Sequence, residues 1–245
     1  MTPVSLGIIV LLVILVIAGG LWLHFRKPKP PAGKLVLFGV GNDKKTLYSA
    51  AEGATAWTAA GPSAGVYTVA FNPTDKRLYG VDENLTLQSA VPGQAWAPVP
   101  NGDPSGDRLS SVAFDAAGAM WGVTINGALV TKGKNPAGPW TVTAPAIGGN
   151  IFNIAFDAAG AMWGVARQAG LVFTKTSPSA AWTAVTAAGA VDMYNIHTDH
   201  QTGTFYGVGG PWQVYTSPNL AKTPWTAATV SSDSALVQDV AVARL

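Results

Sequence analysis

The chain has 245 residues, with 15 Lys+Arg, 13 Asp+Glu, 11% charged residues and no cysteine. The lack of cysteine excludes thiol nucleophiles, disulfides and cysteine-held metals. Without Arg26, Lys27 and Lys29, twelve basic residues face thirteen acidic ones, so the bulk of the chain is close to neutral and nucleic acid is excluded as a partner.

The first predicted element is an uncharged apolar run over residues 4–23. At about 1.5 Å per residue these 20 residues span about 30 Å, the thickness of a bilayer core. Residues 1–25 are therefore expected to form a single transmembrane anchor, with membrane lipid as a partner of residues 4–23. A cleaved signal peptide fits less well. The segment lacks a basic start, the apolar run passes beyond Ala18, and Trp22 suits an interface anchor.

A basic, Pro-rich linker follows at 26–33 and includes Lys27-Pro-Lys-Pro-Pro31. Positive charge after the span places the remainder on the cytosolic side, or inside a membrane-containing particle. The sequon Asn84-Leu85-Thr86 argues the other way.

From residue 34 the chain repeats. Phe38-Gly39, Tyr79-Gly80, Trp121-Gly122, Trp163-Gly164 and Tyr206-Gly207 recur at intervals of 41, 42, 42 and 43 residues. Trp57, Trp96, Trp140, Trp182 and Trp225 follow them, 19 residues on in four copies and 17 in the second. Several short strand-like runs per period of this length predict an all-β, five-bladed β-propeller over 34–245.

Strand, turn and strand read clearly in Val112–Val123 and in Ile154–Val165, where Asp115 and Asp157 are placed as turn residues. The fourth turn, Asp199-His-Gln-Thr-Gly203, is one residue longer, which gives the interval of 43. Only four inner strands precede their aromatic-Gly pairs. The fifth is supplied from the other end by Val240–Arg244, so the last strand closes the ring.

Catalytic patterns are missing from the sequence. There is no Gly-x-Ser-x-Gly elbow, and no cofactor or metal is expected. His197 and His200, three apart, are expected on opposite faces and not as a metal pair. A glycosidase needs two carboxyls roughly 5–10 Å apart in the funnel. The first polar positions of the inner strands instead read Thr68, Ser111, Asn153, Asn195 and Asp239, with one acid among them. This ring is the best polar constellation in the chain and the candidate for ligand binding; a solvated channel lining that holds ordered water is the favoured reading.

Seven tryptophans lie on the period and are expected in the core between blades. Trp212, in Gly209-Gly-Pro-Trp212, has no counterpart in the other copies. It is either a platform for a sugar ring or partner, or a cover folded over a neighbouring loop.

The pieces Phe156-Asp157, Gly160, Trp163, Phe173-Thr-Lys175, Ser177-Pro178 and Trp182 resemble the repeat of the tachylectin-type five-bladed lectins. The resemblance covers 34–245. It implies the propeller fold and, by extension, binding of N-acetylated amino sugars at sites repeated around the ring. This chain has Ala-Ala before Trp182 and Thr-Pro before Trp225, where that family has Asp-Asn, and lacks its Gly-Gly-Trp step. The expectation for function is therefore a membrane-anchored, non-catalytic binding or docking module with a glycan or protein partner on its loops. A structural scaffold of a membrane or virion is the alternative, and a glycosidase-like enzyme stands further back.

Overall fold

A computed structural model describes residues 33–104, 107–144, 150–166, 171–186, 191–230 and 235–245. The expected span at 4–23 and all of the linker except Gly33 lie outside the described residues. Among the described residues no helix is long and apolar enough to cross a membrane.

The repeat folds into five four-stranded antiparallel sheets. Blade 1 holds β1 (Leu35–Gly41), β2 (Thr46–Ala51) and β3 (Thr58–Pro62). Blade 2 holds β4 (Val66–Phe71), β5 (Leu78–Asp82), β6 (Leu87–Ala90) and β7 (Ala97–Pro98). Blade 3 holds β8 (Leu109–Phe114), β9 (Met120–Thr124), β10 (Leu129–Gly133) and β11 (Thr141–Ala144). Blade 4 holds β12 (Ile151–Phe156), β13 (Met162–Ala166), β14 (Val172–Lys175) and β15 (Thr183–Ala184). Blade 5 holds β16 (His197–Thr198), β17 (Phe205–Gly209), β18 (Gln213–Ser217) and β19 (Thr226–Ala227).

The last strand, β20 (Val237–Arg244), pairs antiparallel with β1 and completes blade 1. The two ends of the chain thus share one sheet, and the ring has no open blade edge at its seam. All five inner strands, β20, β4, β8, β12 and β16, start at one end of the channel, here the upper end, and finish at the lower one.

The aromatic-Gly pair has a physical cause. A Cβ on Gly39 would lie 2.7 Å from Val237 and 3.1 Å from the ring of Trp57, on Gly122 2.8 Å from Leu109 and 3.2 Å from Trp140, and on Gly164 2.8 Å from Ile151 and 3.0 Å from Trp182. Glycine leaves the room in which the outer-strand tryptophan lies across its own blade. The aromatic beside it faces the next blade, as in Tyr79–Phe114 at 5.2 Å, Trp121–Phe156 at 5.4 Å and Trp163–Phe205 at 4.8 Å between ring centroids. Such pairs contribute about 0.5–1.5 kcal/mol each beyond burial.

The turn aspartates fix both ends of this unit. Asp157 Oδ1 accepts the amides of Ala159 and Ala161 at 2.9 Å, and its Oδ2 accepts Trp163 Nε1–H at 3.0 Å. Asp115 does the same for Ala117, Ala119 and Trp121. The core accordingly sits between blades. Leu87 and Val81 of blade 2, for instance, pack with Leu109, Val112 and Met120 of blade 3.

Candidate functional site

A cavity of about 370 Å³ opens at the upper end of the channel. All six residues singled out in the sequence line it: Thr68, Ser111, Asn153, Asn195, Asp239 and Trp212. The structure thus brings Trp212 together with the polar ring, a juxtaposition that their separation in the chain does not reveal.

Four of the five ring residues are sealed from solvent, with Ser111, Asn153, Asn195 and Asp239 at 1–3% exposure. Their polar atoms hold blades together. Asn153 Oδ1 accepts Ile196 N–H at 2.8 Å, and Asn195 Nδ2 donates to Gln238 O at 2.8 Å. Asp239 Oδ2 accepts Val69 N–H at 2.8 Å, while its Oδ1 accepts Val240 N–H at 2.8 Å and meets His197 Nε2 at 2.9 Å. Within a blade, Thr68 Oγ1 accepts Val81 N–H at 3.3 Å and Asn195 Oδ1 accepts Val208 N–H at 2.9 Å. Ser111 Oγ is buried without a partner.

The residues before the ring form the accessible lining. The register between β4 and β5 slips between Val66 and Thr68, between β8 and β9 from Leu109 to Ser111, and between β12 and β13 from Ile151 to Asn153. Tyr67, Ser110 and Phe152 are therefore the extra residues of three equivalent bulges. Gln238 is the same on β20. One extra residue also falls between the Met193–Gly209 bridge and the His197–Tyr206 pair, where Tyr194 sits.

A bulge re-aims a side chain and leaves a ladder amide without its usual acceptor. Thr68 and Asn195 supply that acceptor. Tyr67, Phe152, Tyr194 and Gln238, all half-buried, line the cavity instead. Leu85 and Ile125, from the turns after β5 and β9, complete an apolar collar with Trp212. Sequence reasoning missed these positions, although a signal was present. Val66 and Val69, Leu109 and Val112, and Ile151 and Ile154 are apolar pairs three apart, which a regular strand would send to opposite faces.

Trp212 is half-buried, with its ring centroid 5.1 Å from that of Tyr194 at 52°. Its φ of 68° lies in the left-handed region, unusual for a bulky side chain. It therefore folds inward over the neighbouring strand and still lines the mouth.

The lower end has a separate cavity of about 330 Å³. His197 and His200 both line it, contrary to the expected opposite faces, because β16 ends at Thr198 and His200 belongs to the turn beyond. They have different partners. His197 meets Asp239, and His200 Nε2 meets Phe114 O at 3.1 Å. Burial lowers the pKa of His200 below the ordinary histidine value, opposed by its bond to Phe114 O and by Asp115, Asp199 and Asp157. Among the described residues no group of three or more His, Asp or Glu side chains could hold a metal.

Fold and sites together define a five-bladed β-propeller with one cavity at each mouth of its channel. No protein-family model and no curated protein matches the chain. Solved propellers do. A chain of a nidogen/laminin complex is 13% identical, with a TM-score of 0.57, over 87% of this chain and 99% of that one. YCF48 bound to a D1 peptide is 18% identical, with a TM-score of 0.43, over 84% and 69%. A gluconolactonase of Xanthomonas campestris is 13% identical, with a TM-score of 0.49, over 80% and 76%. At these identities the likeness supports the propeller fold alone. It is not specific to the tachylectin type, which stays an expectation from sequence.

Proposed function

We propose that this chain is a non-catalytic binding module, carried on a membrane by residues 4–23, that receives an apolar side chain of a protein partner at the upper mouth. The observation that carries this reading is the collar. Tyr67, Leu85, Ile125, Phe152, Tyr194 and Trp212, drawn from four blades, converge on one concave space. Aromatic-lined pockets of this kind are the usual anchor points of protein partners.

Chemistry at the mouth argues in the same direction. Asp239 is the one acid lining the cavity among the described residues, and both of its oxygens are engaged. A pair of carboxyls for glycoside cleavage is not assembled there. The floor acceptors of Thr68, Asn153, Asn195 and Asp239 already serve backbone amides, which leaves Ser111 Oγ and Gln238 Nε2 as its buried unpaired polar atoms among the described residues. The propeller of the nidogen/laminin complex agrees with a protein partner, since that structure is a protein–protein assembly.

The chain enters the ring at Lys34, which exchanges backbone hydrogen bonds with Leu245 at 2.9 and 3.1 Å at the lower end.

A glycan array and a peptide array, both probed with the full-length protein and with Trp212→Ala, test this reading. Selective capture by peptides with aromatic or aliphatic residues, weakened in the variant, is expected. Capture by a defined sugar class with no peptide binding would replace the reading with the lectin one.

A further inference from the structure

The lower mouth breaks the symmetry of the ring. Three inner strands end in the same pair, Ala70-Phe71, Ala113-Phe114 and Ala155-Phe156, and these six residues form one wall of the lower cavity. In blade 5 the pair is His197-Thr198, and β20 supplies Ala241-Val242. A residue repeated in every blade answers to the fold; one found in a single blade is not demanded by it. The wall of phenylalanines thus faces a polar wedge made by Thr198, His200 and Arg244, with Lys76 at the rim.

The charges of this wedge are unevenly matched. Lys76, Arg244 and Asp199 line the cavity. Asp199 is occupied by Arg244, by Thr202 Oγ1 at 2.7 Å and by the amide of Gln201 at 3.1 Å. Lys76 Nζ donates to a neutral acceptor, Arg244 O at 3.4 Å, and lies 5.8 Å from the centroid of the Phe71 ring. No ion pair joins it to a carboxylate among the described residues. Two cations, Lys76 and Arg244, and one carboxylate, Asp199, thus line the cavity beside an aromatic wall. Thr198 Oγ1 and His200 Nδ1 are buried with no hydrogen-bond partner among the described residues.

We propose that the lower mouth binds a small carboxylate carried on an apolar body, an aromatic or short aliphatic acid. The carboxylate takes the rim beside Lys76, and the apolar body lies against the edges that Phe71, Phe114 and Phe156, 4–8% exposed, leave open to the cavity. The volume of about 330 Å³ is at the small end of the range for ligand pockets and accommodates a single substituted ring. This site shares none of its lining with the collar, so it stands or falls independently of the function proposed above.

Calorimetric titration of the full-length protein in detergent with benzoate, benzamide and inorganic phosphate tests the assignment. Benzoate is expected to saturate, with benzamide and phosphate each weaker by about tenfold, because one lacks the charge and the other the apolar body. Lys76→Met, at an exposed position, should weaken benzoate about fivefold and leave benzamide unchanged. Ala116→Trp, an exposed substitution at the cavity rim, should block benzoate while thermal melting is unchanged. The proposal is overturned if benzoate fails to saturate, if benzamide or phosphate binds equally well, or if benzoate binding survives Ala116→Trp.

Discussion

Asp239 Oδ2 accepts the backbone amide of Val69 at 2.8 Å, across 170 positions of sequence. The last strand is thereby tied to blade 2 as well as to β1, and through His197 to blade 5. Three blades meet at one carboxylate that is 2% exposed.

Asp239→Ala removes the acceptor for two buried amides and the partner of His197. Buried donors left unmatched cost about 1–3 kcal/mol each, so a loss of about 3–5 kcal/mol is expected. Denaturant unfolding measures it. A loss under about 1 kcal/mol would mean that water replaces the carboxylate without penalty.

Deleting residues 235–245 takes away β20 and leaves β1 as an open edge. The truncated chain is expected to melt at lower temperature, with loss of cooperativity, and to aggregate. Light scattering during a thermal ramp reads both effects. Unchanged melting without aggregation would contradict closure by the last strand.

Two glycines separate close packing from backbone conformation. A Cβ on Gly80 would lie 2.3 Å from the backbone oxygen of Thr68 and 2.4 Å from Val66. Gly80→Ala must displace a strand and should cost about 3 kcal/mol or more. Gly160 has φ of +85° and nothing within 4 Å of a Cβ, so Gly160→Ala carries only the left-handed penalty of about 1–2 kcal/mol. Equal losses in denaturant melts would refute close packing of Gly80 against the inner strand.

Acid stability should report on Asp199. Burial favours its neutral form, but hydrogen bonds from Arg244, Thr202 and the amide of Gln201 more than offset this and hold its pKa below the ordinary aspartate value. As pH falls, the unfolded carboxyl therefore takes up its proton first. The stabilisation is present above about pH 4 and is lost as pH drops through the lower folded value. Arg244→Met should shift the acid-unfolding midpoint upward, and an unchanged midpoint would show that the pair contributes nothing.

Much of the fold is legible because the repeat states each requirement several times. Asp115 and Asp157 recur with the tryptophans they bind, and the glycines recur with the rings that lie over them. The closing strand follows from counting, since four inner strands cannot complete five blades. The site is less legible. The polar ring borders the upper cavity, yet the bulge moves the accessible lining back by one residue, to Tyr67, Phe152, Tyr194 and Gln238. Regular alternation hides that step, and only apolar pairs three apart, such as Val66 and Val69, disclose it. His200 is misplaced for a similar reason, because the strand ends before the turn that carries it.

The most direct test of the account is photo-crosslinking at the collar in cells that make the full-length protein. A benzophenone amino acid would be placed at Leu85, half-buried on the upper mouth, and in parallel at Val142, 57% exposed on the outer strand β11. The account expects one discrete protein adduct from position 85, reduced by Tyr67→Ala or Trp212→Ala, and none from position 142. Adducts of equal yield at both positions, or an adduct at 85 indifferent to both substitutions, would contradict a binding role for the collar.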